Sequence, residues 1–324
     1  MLGHTSFAKD EAAAVAPVEK SVAEKLVREL HGSLSDHQRS RIVLPFDDPL
    51  RNRIENNWHI LNERVGSFFE LDQQQLVRDI FLNLHSDEYR DEVWSQFVHD
   101  NKKKGATTPE EIFGTSSVAL FSDESFDQFE FVFTGRHCTR RCDGNSVKNA
   151  AFGGPIFYGH SAQGFTEKPD HPGNAYWFQA KRANALFQML DGKQQEKALK
   201  GESRGEKGTR TVTLKGKSEG IEGLPSYDMT TDQRAELMKV VGDLLMPFRA
   251  EDRAEALSMI EAQAGDLHLA FYEKEDVGGD RVWDTWQLEG PNMVWYFRGD
   301  PHVHVWVNIK DPGKAADKPV TKPA

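Results

Sequence analysis

"WDTWQLEGPNMVWYFRGDPHVHVWVNI", residues 283–309, reads as three strands in series, and the fold class follows from it. Runs 284–289, 293–298 and 303–309 are rich in aromatic and β-branched residues, and "EGPN" and "RGDP" between them are turn chemistry. A further run, 267–272, precedes them across the Gly-rich "VGGD" at 277–280. Four strands with short polar turns make an antiparallel meander, carrying Trp283, Trp286, Trp295, Tyr296 and Trp306. Successive side chains of a strand point to opposite faces, so His302 and His304 share one face while Val303, Val305 and Val307 share the other. Two imidazoles then stand side by side. They are either satisfied strand histidines or half of a metal site.

Outward from the meander, residues 129–134 and 211–214 are also strand-like. Residues 21–31, 72–84, 175–190 and 231–246 repeat apolar side chains every three or four positions and read as helices. The class is α+β, with helical N-terminal and middle segments packed on an antiparallel sheet and a C-terminal β-meander. Four phrases, "LSDHQR", "LDQQQL", "LDGKQQ" and "MTTDQR", mark helix starts. Ser35, Asp72, Asp191 and Thr230 are the caps, and Gln38, Gln75, Gln194 and Gln233 follow three places later, the capping-box spacing. Similar caps need no common ancestor, so an internal duplication stays open.

The 324 residues, 38% hydrophobic and 28% charged, are enough for one large domain. Residues 18–311 read as a single two-lobed domain, with a lobe division near the Gly- and charge-rich stretch 195–225. Residues 1–17 read as a mobile N-terminus that is either a leader remnant, since Ser6-Phe7-Ala8 offers the small residues a signal peptidase reads, or merely a frayed start. Residues 312–324, rich in Pro, Lys and Ala, read as a mobile tail. A net charge of −11 argues against nucleic acid and anionic membranes as partners. No apolar run approaches the roughly 20 residues of a membrane span. The expected partner is a small-molecule ligand or substrate.

A second unusual stretch is "FEFVFTGRHCTRRCDGN", residues 129–145, where an alternating strand ends at Gly135 and chemistry-bearing residues crowd together. His137 there is the first candidate third ligand. Three histidines with an open coordination position suit catalytic zinc and redox-active copper or iron, since neutral imidazole is a good donor to each. His160, in "IFYGHS", and Tyr158 are candidates to line the site. His171, in "DHPGN", reads as solvated turn chemistry. Glu289 ends a strand beside the histidine strand, and could serve as ligand, orienting carboxylate or general base. The two cysteines, Cys138 and Cys142, could form a disulfide, bind metal or remain thiols; in an exported protein a bridge is expected. The chain has no Gly-x-Gly-x-x-Gly after a strand, phosphate loop, Gly-x-Ser-x-Gly elbow, His-Glu-x-x-His or Cys-x-x-Cys-His motif, which disfavours nucleotide-dependent and common serine-hydrolase chemistry.

In order, "FTGRHC", "FGGPIFYGH", "LDGKQQEKAL", "WQLEGPNMVWYFRG" and "PHVHVWVNI" resemble the bacterial family catalogued as domain of unknown function 3500, over roughly residues 20–311. The family's strand-end Gly-x-His matches Gly135 and His137, its Gly after the aromatic pair matches Gly159, its Glu-Gly-Pro matches Glu289, Gly290 and Pro291, and its late His-x-His matches His302 and His304. Distant members carry other residues where Cys138, Cys142 and His160 stand. The resemblance implies an export leader, often of the twin-arginine type, and hence a periplasmic or other extracytoplasmic location. It also strengthens a His137, His302 and His304 cluster. The expectation is an exported metal-binding protein using copper, zinc or iron. It would be a metal-dependent oxidoreductase or hydrolase with metal ligands His137, His302, His304 and His160 and Glu289 handling protons. The alternative is a non-enzymatic extracytoplasmic metal- or ligand-binding protein.

Overall fold

Two four-stranded antiparallel meanders, one from each half of the chain, meet side by side in a single sheet. The computed structural model describes residues 21–102, 105–160, 175–276, 283–299 and 301–313. In the first half, helices α1 (Val22–Ser33) and α2 (Asp36–Ile42) lead to edge strand β1 (Val43–Pro45). Helices α3 (Val65–Phe68), α4 (Leu71–Asn83), α5 (Arg90–Asn101) and α6 (Pro109–Phe113) follow. The meander is β2 (Ser117–Ser122), β3 (Phe129–Gly135), β4 (Cys138–Cys142) and β5 (Ile156–His160). In the second half, α7 (Trp177–Gln188) and α8 (Gly192–Ala198) lead to β6 (Leu199–Lys200) and β7 (Leu224–Pro225), then α9 (Thr231–Leu245) and α10 (Ala250–Glu261). Its meander is β8 (His268–Tyr272), β9 (Thr285–Gly290), β10 (Met293–Arg298) and β11 (Val303–Ile309).

The strand order is β1-β2-β3-β4-β5-β11-β10-β9-β8-β6, with β7 also on β8. The sheet is mixed: β1 pairs with β2, and β6 with β8, in parallel, and the other pairs are antiparallel. The α+β class and the C-terminal β9–β11 meander are as the sequence reads, whereas the "VGGD" turn lies outside the described residues. Run 211–214 is not a strand. It holds a 3-10 turn, Arg210–Val212, fixed by successive backbone bonds from Thr211, Val212 and Thr213 to Gly208, Thr209 and Arg210.

Apart from α3, α6 and β7, the two halves follow one order of elements, and their caps repeat too. Ser35 with Gln38 caps α2, Asp191 with Gln194 caps α8, and Thr230 with Gln233 caps α9. The expected Asp72–Gln75 box is displaced: α4 begins at Leu71, and Gln73 Oε1 accepts the Glu70 N–H at 3.0 Å. Capping glutamines then pair across helices, Gln38 to Gln73 at 2.7 Å and Gln194 to Gln233 at 2.9 Å. In each pair both amides also donate to the chain before the partner's helix, Gln38 to Phe68 O and Gln73 to Ser33 O, Gln194 to Asp228 O and Gln233 to Met189 O. The matching order and matching bonds are those of an internal structural repeat.

Both faces of the sheet are covered, which is why its strands are buried along nearly their whole length. Trp286, Trp295, Phe297, Val303 and Val305 pack with the helices. On the opposite face Phe157, Tyr272, Tyr296 and Trp306 pack with Ile54 and Val212, from irregular segments rather than helices. The cysteines do not form the expected bridge. Cys138 and Cys142 are free, buried and four residues apart on β4, roughly 13 Å along a strand, beyond the ~7 Å Cα reach of a disulfide. Burial pushes both thiols up, Cys138 to about 11, so neither should be alkylated in the native protein and both should react after unfolding.

The meanders join where β5 pairs with β11, His304 opposite Gly159 and Val303 opposite His160. A Cβ on Gly159 would sit 2.2 Å from Val303 O, so only glycine lets these backbones approach. Gly159→Ala should cost about 2–4 kcal/mol of stability by denaturant unfolding. A change within about 0.5 kcal/mol, the ordinary surface range, would show that the junction tolerates separation.

Candidate metal centre

His137 lies in the turn between β3 and β4 with φ of +53°, a left-handed conformation uncommon for a residue with a Cβ. The end of α5 holds it there. Asn101 accepts the Arg136 N–H at 3.2 Å and donates back to Arg136 O at 3.3 Å, and the His137 N–H donates to Asn56 O at 3.0 Å. Asp100 Oδ2 lies 3.0 Å from His137 Nδ1, with both side chains 2% exposed. The Nδ1–H therefore donates to the carboxylate, and the Nε2 lone pair points away from it.

His304 is fixed in the same manner from the other half of the chain. Its Nδ1 lies 2.7 Å from Glu206 Oε1, which also accepts from Trp306 Nε1 at 2.7 Å, and Arg298 Nη1 holds Glu206 Oε2 at 2.7 Å. Phe157 meets the His304 ring edge to face at 5.2 Å between centroids. With Nδ1–H donated to Glu206, His304 Nε2 carries the lone pair. It faces His302 Nε2 at 2.9 Å.

The structure thus brings His137, His302 and His304 together, one ring nitrogen of each lying within 4.8 Å of the others. His137 and His304 are buried; His302 is half-buried and forms the solvent side of the group. Burial, the neighbouring His304 and His137 rings and the Arg298 guanidinium bring His302 down to about 3. Burial, Arg298 and His137 bring His304 down to about 4 against the opposing pull of Glu206. The carboxylates behave oppositely. Burial alone would raise Asp100 and Glu206, but the hydrogen bonds and charge of their histidine partners hold both below the usual range. A neutral His304 backed by an ionised Glu206 is in the protonation state a metal requires.

The other expected residues are placed elsewhere. His160 is not in the three-histidine group; its Nδ1 lies 3.2 Å from Asp100 Oδ1, in a second group with His99 and Asp100. Tyr158 faces the helices and donates to Gln179 Oε1 at 2.8 Å. Glu289 is not brought to the histidines. His304 pairs with Arg298 and Arg298 with Thr285, so Glu289 sits four residues farther along β9, roughly 13 Å away. Its buried carboxylate is held by Arg204 at 2.8 Å. His171 lies outside the described residues. Sequence reasoning missed Asp100, His99, Glu206 and Arg298. Glu206 lies in the stretch read as an exposed connection, while the adjacent His99-Asp100 pair near a helix end was a visible but unspecific signal.

Fold and site together define an α+β protein with a histidine cluster at the junction of two meanders. The chain belongs to the family described as protein of unknown function (DUF3500), whose model matches residues 16–307. No curated protein matches the chain, and no solved structure does.

Unfolded histidines titrate near 6.5, whereas the folded His302 and His304 refuse protons until about 3 and about 4. Below pH 6.5 the unfolded chain binds more protons, so their contribution is full above 6.5 and is lost as pH falls towards 4. In chelator-treated protein, wild type should lose more stability between pH 6.5 and 4 than the double variant His302→Gln, His304→Gln. Parallel pH profiles of unfolding free energy would contradict this.

Proposed function

We propose that His137, His302 and His304 bind a transition-metal ion and that the protein is a metal-dependent enzyme acting outside the cytoplasm. The observation that carries the reading is the pair of carboxylate–histidine contacts, buried Asp100 to His137 and half-buried Glu206 to His304. Each fixes a tautomer and aims an Nε2 lone pair into the same space, the arrangement by which outer carboxylates orient and strengthen histidine ligands. Neutral nitrogen donors with no thiolate or carboxylate among them suit zinc, copper or iron. Metal–nitrogen bonds of about 2.0–2.1 Å need the three rings to close slightly around the ion.

His302, on the solvent side, marks where a fourth position opens to water or substrate. There the ion would polarise a substrate or activate bound water or dioxygen. Glu289, committed to Arg204, leaves Asp100 and Glu206 as the carboxylates nearest the chemistry. Their role is to hold His137 and His304, and with them the protons on Nδ1. Location outside the cytoplasm is supported by the leader that the family resemblance implies and by the Ser6-Phe7-Ala8 pattern.

Zinc affinity, measured by competition with a chromophoric chelator, should fall at least 10- to 100-fold in His302→Ala and His304→Ala. It should be unchanged in His37→Ala, an exposed helix residue. At 100 times its dissociation constant, zinc should stabilise wild type by about 2.7 kcal/mol. If zinc, copper, iron and manganese all leave the melting temperature unchanged, the reading is wrong.

A further inference from the structure

We propose a second cation site, formed by His99, Asp100 and His160 and joined to the three-histidine centre through the Asp100 carboxylate. One ligand atom from each of the three residues lies within 4.8 Å of the others. Asp100 is 3% and His160 1% exposed, while His99 is half-buried and forms the open side. His160 Nδ1 and Asp100 Oδ1 are 3.2 Å apart, close to the separation of two adjacent donors on one ion with bonds of about 2.0–2.2 Å. The Gln96 amide nitrogen lies against the same His160 nitrogen and donates to Asp100 Oδ1 at 3.2 Å, so it must swing aside when a cation takes these two atoms.

Two elements converge to make the site. His99 and Asp100 are consecutive near the end of α5, and His160 is the last residue of β5, where that strand pairs with β11. The His99 and His160 rings are 5.5 Å apart between centroids. Asp100 divides its two oxygens between the centres: Oδ2 accepts from His137, a ligand of the first ion, while Oδ1 faces His160.

Two histidines and one carboxylate with open positions are a donor set for divalent iron and comparable ions such as manganese, cobalt and zinc. The first centre, all nitrogen, and the second, mixed nitrogen and oxygen, therefore differ in preference. They are connected by the path from ion to His137 to Asp100 to ion. The proposal extends the three-histidine reading through Asp100 but has its own donors, and its failure can be told apart from the failure of that reading.

Cobalt(II) is the probe, counted by equilibrium dialysis and elemental analysis on full-length protein purified without affinity nickel. Wild type should bind two equivalents. His160→Ala should bind one, and that one should be abolished by adding His304→Ala; His304→Ala alone should also retain one. Because His160 is deeply buried and its variant could fail to fold, His99→Ala provides the same count from a half-exposed position, with far-UV circular dichroism confirming the fold of each. One equivalent in wild type, lost in His304→Ala and kept in His160→Ala and His99→Ala, overturns the second site and leaves the first standing. Two equivalents surviving in His160→Ala and His99→Ala overturn it as well, as does wild type binding none, an outcome that removes the first site too.

Discussion

The pairing of β5 with β11 is the constraint on which the rest of the structure depends. It joins two meanders whose order of elements is otherwise self-contained, and it does so with Gly159 pressed against Val303 O. That contact sets the register of both strands. Register then decides the chemistry, since a one-residue slip of β11 would turn His304 from the face it shares with Phe157 and Trp306 to the helix-packed face of Val303 and Val305. The same junction places His160 beside α5 and brings the β3–β4 turn, with His137, to the end of β11. His137 is remote in sequence from His302 and His304, and they meet only because this seam is closed.

The electrostatics of the centre follow from burial. His302 and His304 are driven to their neutral form chiefly by desolvation, and the carboxylates of Asp100 and Glu206 are held below their usual range by their histidine partners. Arg298 adds a cation that holds Glu206 and further discourages protonation of His302 and His304. Leaving polar rings in an aromatic core is costly unless each nitrogen is used. The Nε2 atoms of His302 and His304 lie 2.9 Å apart, so one donates its proton to the other, and a cation would take that proton's place between two lone pairs.

Much of the fold was legible because its strongest signals are local. The aromatic, β-branched runs of β9, β10 and β11 and their Gly- and Pro-containing turns specify hairpins without knowledge of the rest of the chain. Three of the four capping boxes were read correctly for the same reason. The fourth slipped because Glu70 and Gln73, one step out of the expected phrase, do the capping. Run 211–214 alternates like a strand, yet its backbone bonds close within the turn and Val212 packs onto the sheet from above. The three histidines were legible as residue types at strand ends. Asp100 and Glu206 were not, because what makes them important is a tertiary contact across 37 and 98 residues of chain. Glu289 was misplaced since adjacency of strands says nothing of position along them. The similar caps were visible in the sequence, whereas the paired glutamines and the mirrored strand order emerge only in the fold.

The central claim is that three imidazoles from two halves of the chain hold one ion. Anomalous diffraction from crystals soaked in zinc, with data on both sides of the zinc absorption edge, tests it most directly. The account requires a peak about 2.0–2.1 Å from one ring nitrogen each of His137, His302 and His304. A structure in which zinc is seated elsewhere, or in which the three rings keep their hydrogen bonds with no peak between them, would contradict it.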